Sequence, residues 1–484
     1  MARKTLPVSP RRWPNWAEPA SATNKREAMS ARETPVLTAL VLVGAIVGTV
    51  VADVGARPLF RLFAAACLIA YFVLRRADLS PIARRMLALA AVLAAAAMVV
   101  ADDPLDVAIE ALRPGLFLAV FVSCVNMLRT AAAQSPLIRR CGVLLTNQPA
   151  GRRYTLLSLG CSVVAIVLLF GVINLFGTMV ASAGKSGSTA VRRSILAILR
   201  GFALTPSLSP LAIPFAAIST TYADLSWSAA APMIVVGMVA LWALGWVLDF
   251  VGGKAADTVP VPETTPDGDW TDYLRMIALI GALVVAVVAL KQVSGFALGY
   301  CVIFSAPVFA LAWLIARRWK GGVGPSAGFA VRSIVVGMAE SRNELAILFA
   351  AGVAGVSISH LLPAEAMMHA VQAVSIPPFL IPVAITLIFG LAGQLAFQPV
   401  MIFIIIAAVL PDADALGLTP AVLYATYFLA WGIVSITSPF NVCVLVAARL
   451  AEIDPFTMCW RWNGLYGLLA TLLVASLMAL FALG

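Results

Sequence analysis

AVRRSILAILRGFALTPSLSPLAIPFAAISTTYADLSW, residues 190–227, and AVLYATYFLAWGIVSITSPFNVCVLVAARLAEIDPFTMCW, residues 421–460, follow one pattern. Each opens with Ala-Val. Each places a glycine eleven residues on, Gly201 and Gly432, and then reaches a Ser-Pro step, Ser209-Pro210 and Ser438-Pro439. An aspartate follows about fifteen residues later, Asp224 and Asp454. Each stretch stands just short of the end of its half of the chain. Such self-similarity points to a duplicated architecture. Chance likeness between two apolar stretches is the competing reading.

The physics of these stretches says more than their likeness. Residues 190–204 make a helix of about 22 Å at 1.5 Å per residue, short of a hydrocarbon core of about 30 Å. Pro206 and Pro210 oppose its continuation. Serine is a favoured N-cap and proline a favoured first helical residue, so a new half-helix is expected to start at Ser209-Pro210 and another at Ser438-Pro439. Irregular backbone at membrane depth is tolerated only where it is buried in protein or lines a wet cavity. The free N–H groups and positive dipole end of a half-helix favour an anion. Thr205, Ser207, Ser209, Ser435, Thr437, Ser438 and Asn441 are therefore the candidate substrate-binding residues. A proline-kinked helix whose serines bond their own backbone is the plainer reading of either Ser-Pro taken singly.

Composition places these stretches in lipid. Of 484 residues, 62% are hydrophobic and 12% charged; mean hydropathy is +0.98. A soluble domain carries about 25% charged residues, so this chain has half the charge needed to cover a water-facing surface. A soluble enzyme, a disordered chain and a disulfide scaffold are excluded. Apolar runs fall at 36–53, 58–74, 86–101, 114–128, 155–176, 228–250, 273–291, 296–316, 333–356, 377–396, 399–410, 420–437 and 463–483. The expected fold is an all-α polytopic membrane protein with about 10–12 transmembrane helices. They are expected to form two inverted repeats, each with a re-entrant Ser-Pro hairpin or broken helix, at about 189–223 and 420–453. Residues 1–35 read as a basic cytoplasmic tail, 36–250 as the first membrane repeat, 251–272 as an acidic hydrophilic linker, and 273–484 as the second repeat.

The net charge is +10, from 33 Lys+Arg against 23 Asp+Glu. In a membrane protein such an excess marks cytoplasmic loops, not a nucleic-acid surface. Arg75, Arg76, Arg84 and Arg85 form one cluster, and Arg129, Arg139, Arg140, Arg152 and Arg153 another. Asp102, Asp103, Asp106 and Glu110 lie across the 86–101 run from the first. These signs give a cytoplasmic N-terminus in a multi-pass protein of the cell's inner membrane. Lys185, Arg192, Arg193 and Arg200 fall on the wrong side of a simple span count, so at least one short run has to be re-entrant or interfacial. The seven cysteines form no ligand cluster and there are two histidines, so no metal site is expected.

Polar residues interrupt the apolar runs. In SIVVGMAESRNELAILFAAGVAG, Glu340, Asn343 and Glu344 would share one face of a continuous helix. They read either as a proton or cation relay or as a wet interfacial turn. Asn174 in LLFGVINLFGTMV and Gln394 in GLAGQLAFQP each sit among glycines, as a cation-coordinating unwound segment would. Close helix packing through small residues is the other reading. Asn174, Gln394, Glu340, Asn343 and Glu344 are the candidate coupling-ion residues.

Together, the two Ser/Thr-rich Pro-broken segments, the Gly-Asn and Gly-Gln stretches before them and NELAILFAAGVAG early in the second half resemble the ion transporter superfamily. That group holds divalent-anion/sodium symporters, arsenite permeases and sodium/proton antiporters. The likeness covers about 150 to 484. It implies inverted repeats, hairpins entering from opposite sides, alternating access and, often, a homodimer. The segments here read Thr-Pro-Ser-Leu-Ser-Pro and Thr-Ser-Pro-Phe-Asn where carboxylate symporters of the group show Ser-Asn-Thr. No GxxxxGK[ST] loop is present, so the expected drive is an H+ or Na+ gradient, with no other cofactor. The expected function is secondary active transport of a small anion, of the carboxylate kind, and not enzymatic. Its expected partners are that solute, the bilayer and a second copy of the chain, with no nucleic acid. A membrane-embedded lipid or glycan transferase and a passive channel or scaffold are the alternatives.

Overall fold

The computed structural model describes residues 25–183, 188–222, 227–252, 269–318, 323–361 and 376–483. Asp224, Lys185, the first 24 residues of the tail and most of the acidic linker lie outside them. The described residues are helical throughout, with no strand among them. Among the described residues, eleven helices are long and apolar enough to cross a membrane. The fold is that of a polytopic membrane protein.

The first five helices are α1 (Lys25–Asp53), α2 (Phe60–Leu74), α3 (Pro81–Val100), α4 (Pro104–Ala133) and α5 (Pro136–Thr146). Their ends are set by local chemistry. Ser80 and Asp103 accept hydrogen bonds from the first turns of α3 and α4, and Pro81 and Pro104 follow them. Asp53 at the end of α1 pairs with Arg61 in the first turn of α2 at 2.8 Å. Two faces result. One carries Asp53, Asp102, Asp103 and Glu110; the other carries Arg75, Arg129, Arg139 and Arg140. They are called here the acidic and basic faces.

The next helices are α6 (Ala150–Leu168), α7 (Gly171–Ala183), α8 (Thr189–Leu208), α9 (Ile213–Thr221) and α10 (Trp227–Gly252). Arg193, in the first turn or so of α8, pairs with Asp249 at the end of α10 at 2.6 Å. Helix α10 has 26 residues, about 39 Å at 1.5 Å per residue, and so crosses the bilayer. Only residues 222–226 join it to α9. Helices α8 and α9 therefore cross together, as one spanning helix broken at 209–212. Tyr154, near the start of α6, lies against Gly245 of α10, so α6 begins on the same face as α8. Helix α7 ends at Ala183 and α8 opens at Thr189 on that face, so α7 runs back towards it. Helices α6 and α7 thus form a re-entrant hairpin whose tip is Leu169-Phe170. Leu169 takes φ +49°, a left-handed conformation that the tight reversal imposes.

Four helices follow: α11 (Trp270–Ser294), α12 (Leu298–Arg317), α13 (Val323–Glu340) and α14 (Arg342–Leu361). Asp272 pairs with Arg140, placing the start of α11 on the basic face. Helix α13 begins beside the end of α12, where Ser326 donates to the Arg318 carbonyl. It ends with Gly337 packed on Thr130 of α4. It begins and ends on the basic face and so returns without crossing. Helix α14 runs antiparallel to α4: Glu344 meets Arg129 at one end, and His360 meets Glu110 at the other.

The last helices are α15 (Leu380–Gln394), α16 (Pro399–Val409), α17 (Pro420–Thr437), α18 (Val442–Leu450) and α19 (Gly464–Ala482), with a π-helical turn at Thr457–Trp462. Pro378, just before α15, lies against Gly417, just before α17. Helices α15 and α16 therefore leave and re-enter one face, the acidic one, as a second re-entrant hairpin with its tip at 395–398. Ala396 there has φ +69°. Helices α17 and α18 form the second broken span. The same order, hairpin, broken helix, long helix, thus occurs twice with opposite orientation.

Of the two forms expected for the Ser-Pro segments, re-entrant hairpin or broken helix, the structure has the broken helix, and the hairpins lie elsewhere. The Ser-Pro segments at 189–223 and 420–453 are broken spanning helices. The hairpins are the pairs preceding them, α6–α7 and α15–α16. This also resolves the charge count: the first hairpin brings the chain back to the basic face before Arg192 and Arg193.

Candidate functional site

Both broken helices turn by the same hydrogen bonds. Ala212 N–H donates to the Ser209 carbonyl and Asn441 N–H to the Ser438 carbonyl, each at 3.1 Å. Each is a β-turn with proline at its second position. In each, the serine Oγ accepts from the N–H two residues on, from Leu211 at 3.1 Å and from Phe440 at 3.3 Å. The sequence reading made these serines the N-caps of new half-helices. The caps are instead Ala212 and Asn441, because the turn occupies the residues after the proline. Asn441 Oδ1 accepts from Cys443 N–H at 3.0 Å; Ala212 has no side chain to do so.

The first residues of four helices line one cavity of about 90 Å³. Phe170 precedes α7, Ile213 opens α9, Gln398 and Pro399 open α16, and Asn441 and Val442 open α18. Trp431 and Ser435 of α17 and Glu344 and Ile347 of α14 complete the wall. Each helix N-terminus carries roughly half a positive elementary charge on its unpaired N–H groups. The two hairpin tips and the two breaks therefore concentrate positive potential in one small space.

Glu344 also lines a second cavity of about 520 Å³, between α4 and α13 on the basic face. Its carboxylate accepts from Asn126 Nδ2 at 2.9 Å and from Arg129 Nη1 at 3.0 Å. The Arg129 side chain lies against Gly171, the first residue of α7. The Arg129–Glu344 pair thus stands between the wide cavity and the small one, touching the first hairpin. Arg129 and Asn126 were missed from sequence. Arg129 reads as one more basic loop residue, and nothing local shows that it lies in the last turns of α4.

The other candidates are distributed as follows. Ser435 lines the cavity and donates to the Trp431 carbonyl. Ser438 is buried and donates to the Gly393 carbonyl of α15 at 2.6 Å. Gln394 is satisfied by protein at both ends: it donates to the Thr437 carbonyl and accepts from Trp460 Nε1. Thr437 donates to its own helix at Ile433. Thr205 and Ser207 are buried in the last turns of α8; among the described residues the Ser207 hydroxyl has no hydrogen-bond partner. Neither lines the cavity. Asn174 is exposed on α7, away from it.

The shared face of Glu340, Asn343 and Glu344 is also corrected. The helix is interrupted at Ser341, so Glu340 ends α13 while Asn343 and Glu344 begin α14. Asn343 turns away and accepts from Ser80 N–H at 2.8 Å. Glu340 is exposed and lines the wide cavity, not the small one.

No protein-family model matches the sequence, and no curated protein is detectably similar to it. Among the solved structures that share the fold are two transporters. The YdaH transporter of Alcanivorax borkumensis, described as having an unusual topology, superposes with a TM-score of 0.50 at 15% identity, over 75% of this chain and 85% of that one. MtrF of Neisseria gonorrhoeae, described as illuminating a class of antimetabolite efflux pumps, gives 0.52 at 14% identity, over 75% and 80%. The likeness is one of fold.

Proposed function

We propose that the chain is a secondary active transporter carrying a small anion, of the carboxylate kind, across the inner membrane by alternating access. One observation carries this reading: four helix N-termini, contributed by two hairpins and two broken helices of opposite orientation, line one cavity. An anion entering a membrane protein loses hydration, and donors must replace it. Helix starts do so without a fixed buried cation. A carboxylate group fits the small cavity, and the wide one behind Glu344 has room for the rest of a solute. That the fold is shared with transporters supports the reading.

In this reading the basic face is cytoplasmic by the positive-inside rule, and residues 36–250 and 273–484 are the two inverted repeats of an ion-transporter-type carrier. Glu344 is the coupling residue, taking up H+ or binding beside Na+ when its bond to Arg129 opens. Purified protein in liposomes should accumulate a small carboxylate against its gradient when an H+ or Na+ gradient is imposed. Equilibration without accumulation would make it a channel. No flux for any carboxylate, with the protein folded, would overturn the reading.

A further inference from the structure

A third cavity, of about 380 Å³, lies on the basic face between the first turns of α8, the end of α10 and the start of α19. It is separate from the four helix starts. Arg192, Arg193, Arg200 and Arg461 line it, against the single carboxylate of Asp249. That carboxylate is already engaged by Arg193, through bonds of 2.8 and 2.6 Å. The other three guanidiniums take part in no ion pair among the described residues.

Arg200 is the decisive member. It is 7% exposed, and its side chain is the cationic guanidinium common to all arginines. Its Nε donates to Asn463 Oδ1 at 3.1 Å and its Nη1 to the Gly245 carbonyl at 3.3 Å. Its plane stacks on Tyr466, 4.5 Å from the ring centre. These neutral partners fix its position without neutralising it. Arg192 is held likewise over Trp462 at 5.3 Å. Burying the Arg200 charge without a counter-charge is costly, and the guanidiniums around this one space repel one another. An anion in the cavity removes both penalties. Planar guanidiniums match the oxygens of phosphate, which they bind by paired hydrogen bonds. The first turn of α8 adds its N–H groups, with Thr189 in the wall.

We infer that this cavity binds a phosphate group. The walls point to how it arrives. Leu196, Leu248 and Leu465 line the same space. Trp246, Val247, Phe250 and Val251 of α10 are exposed on the helix that borders it. A basic pocket between transmembrane helices at the headgroup level, flanked by apolar surface, fits the headgroup of an anionic phospholipid. A free phosphate compound shares the chemistry and lacks the chains.

Thermal unfolding of the intact protein tests this, with two arms. In detergent, inorganic phosphate is titrated against chloride at equal ionic strength. In nanodiscs, phosphatidylglycerol is titrated into phosphatidylcholine. The variants are R192Q/R461Q, which leaves buried Arg200 in place, and R139Q as a control for general basic-face charge; Arg139 is exposed elsewhere on that face. Ligands that bind the folded state raise its melting temperature. The inference requires stabilisation in at least one arm, with apparent affinity weakened tenfold or more in R192Q/R461Q and unchanged in R139Q. Response to the lipid alone assigns the headgroup; response to inorganic phosphate as well assigns a site open to soluble phosphate. No stabilisation in either arm, or equal weakening by R139Q, overturns the inference. Native mass spectrometry counting retained phosphatidylglycerol in wild type and R192Q/R461Q repeats the test independently of unfolding.

Discussion

Gly432 of α17 lies directly against the carbonyl of Ala203 of α8. The two broken helices, which run in opposite directions, therefore touch backbone to backbone a few residues before their breaks. Gly201 makes the equivalent approach to the Ser158 carbonyl of the first hairpin. These are the two glycines that the sequence pattern aligned. Each is required because a methyl group would occupy the space of a neighbour's backbone, which cannot rotate away.

Gly432→Val should thus destabilise the protein by about 1–3 kcal/mol, the usual range for overpacking. Gly281→Ala, where nothing lies within 4 Å, should leave the melting temperature unchanged. Equal melting of both variants would show that α8 and α17 do not meet at Gly432.

The Arg129–Glu344 pair carries the next expectation. Glu344→Gln should abolish gradient-driven accumulation while substrate still stabilises the protein against heat. Arg129→Gln should do the same, since it leaves the carboxylate without its cation. Glu340→Gln should transport normally, because Glu340 is exposed and outside the small cavity. Normal accumulation in Glu344→Gln would remove this residue from coupling.

The two turn serines should differ. Ser209 bonds within its own turn, whereas Ser438 also ties α17 to the second hairpin through Gly393. Losing a hydrogen bond that leaves a buried carbonyl unpaired costs about 1–3 kcal/mol. Ser438→Ala should therefore melt measurably below Ser209→Ala. The reverse order would show that the hairpin is held by packing alone.

Topology can be read by labelling single cysteines with an impermeant reagent in sealed vesicles. All native cysteines are buried except Cys67, which is intermediate, so Cys67→Ser is the background. Arg139→Cys and Gly324→Cys should label from one side, Asp102→Cys and Asp414→Cys from the other. Labelling of Asp414→Cys with the first pair would contradict an inverted second hairpin.

Much of this was legible in the chain. The apolar runs, the matched Gly and Ser-Pro anchors and the arginine clusters gave the helices, the duplication and the sidedness. The hairpins were assigned one element too late because Ser-Pro is a loud signal. The reversals at Leu169 and Ala396 use ordinary residues at positive φ, which no local pattern announces. Helix α13 was seen only as an ambiguity, since an apolar helix lying on a face and one crossing it share a composition. The central cavity was half legible. Ser435 and Asn441, two of the polar candidates, line it, while Phe170, Ile213 and Gln398 reach it only through the packing of distant segments. Thr205 and Ser207 precede the break and face the helix bundle, because a helical turn rotates each residue by about 100° and only some of a polar cluster can face one space.

The four short helices that begin at the cavity do not leave it in one direction. Helices α7 and α18 run out to the basic face, α9 and α16 to the acidic face. Along the membrane normal their dipoles oppose in pairs and cancel, while at the centre their positive ends add. The transmembrane voltage therefore exerts little net pull on this set of helices. If the cavity takes an anion as proposed, one arriving from either compartment would meet the same attractive end, and the field of the helix starts would be indifferent to the side of entry. On the proposed reading, a direction of travel would have to come from elsewhere, and Arg129 and Glu344 are the pair that stands to one side of these helix starts.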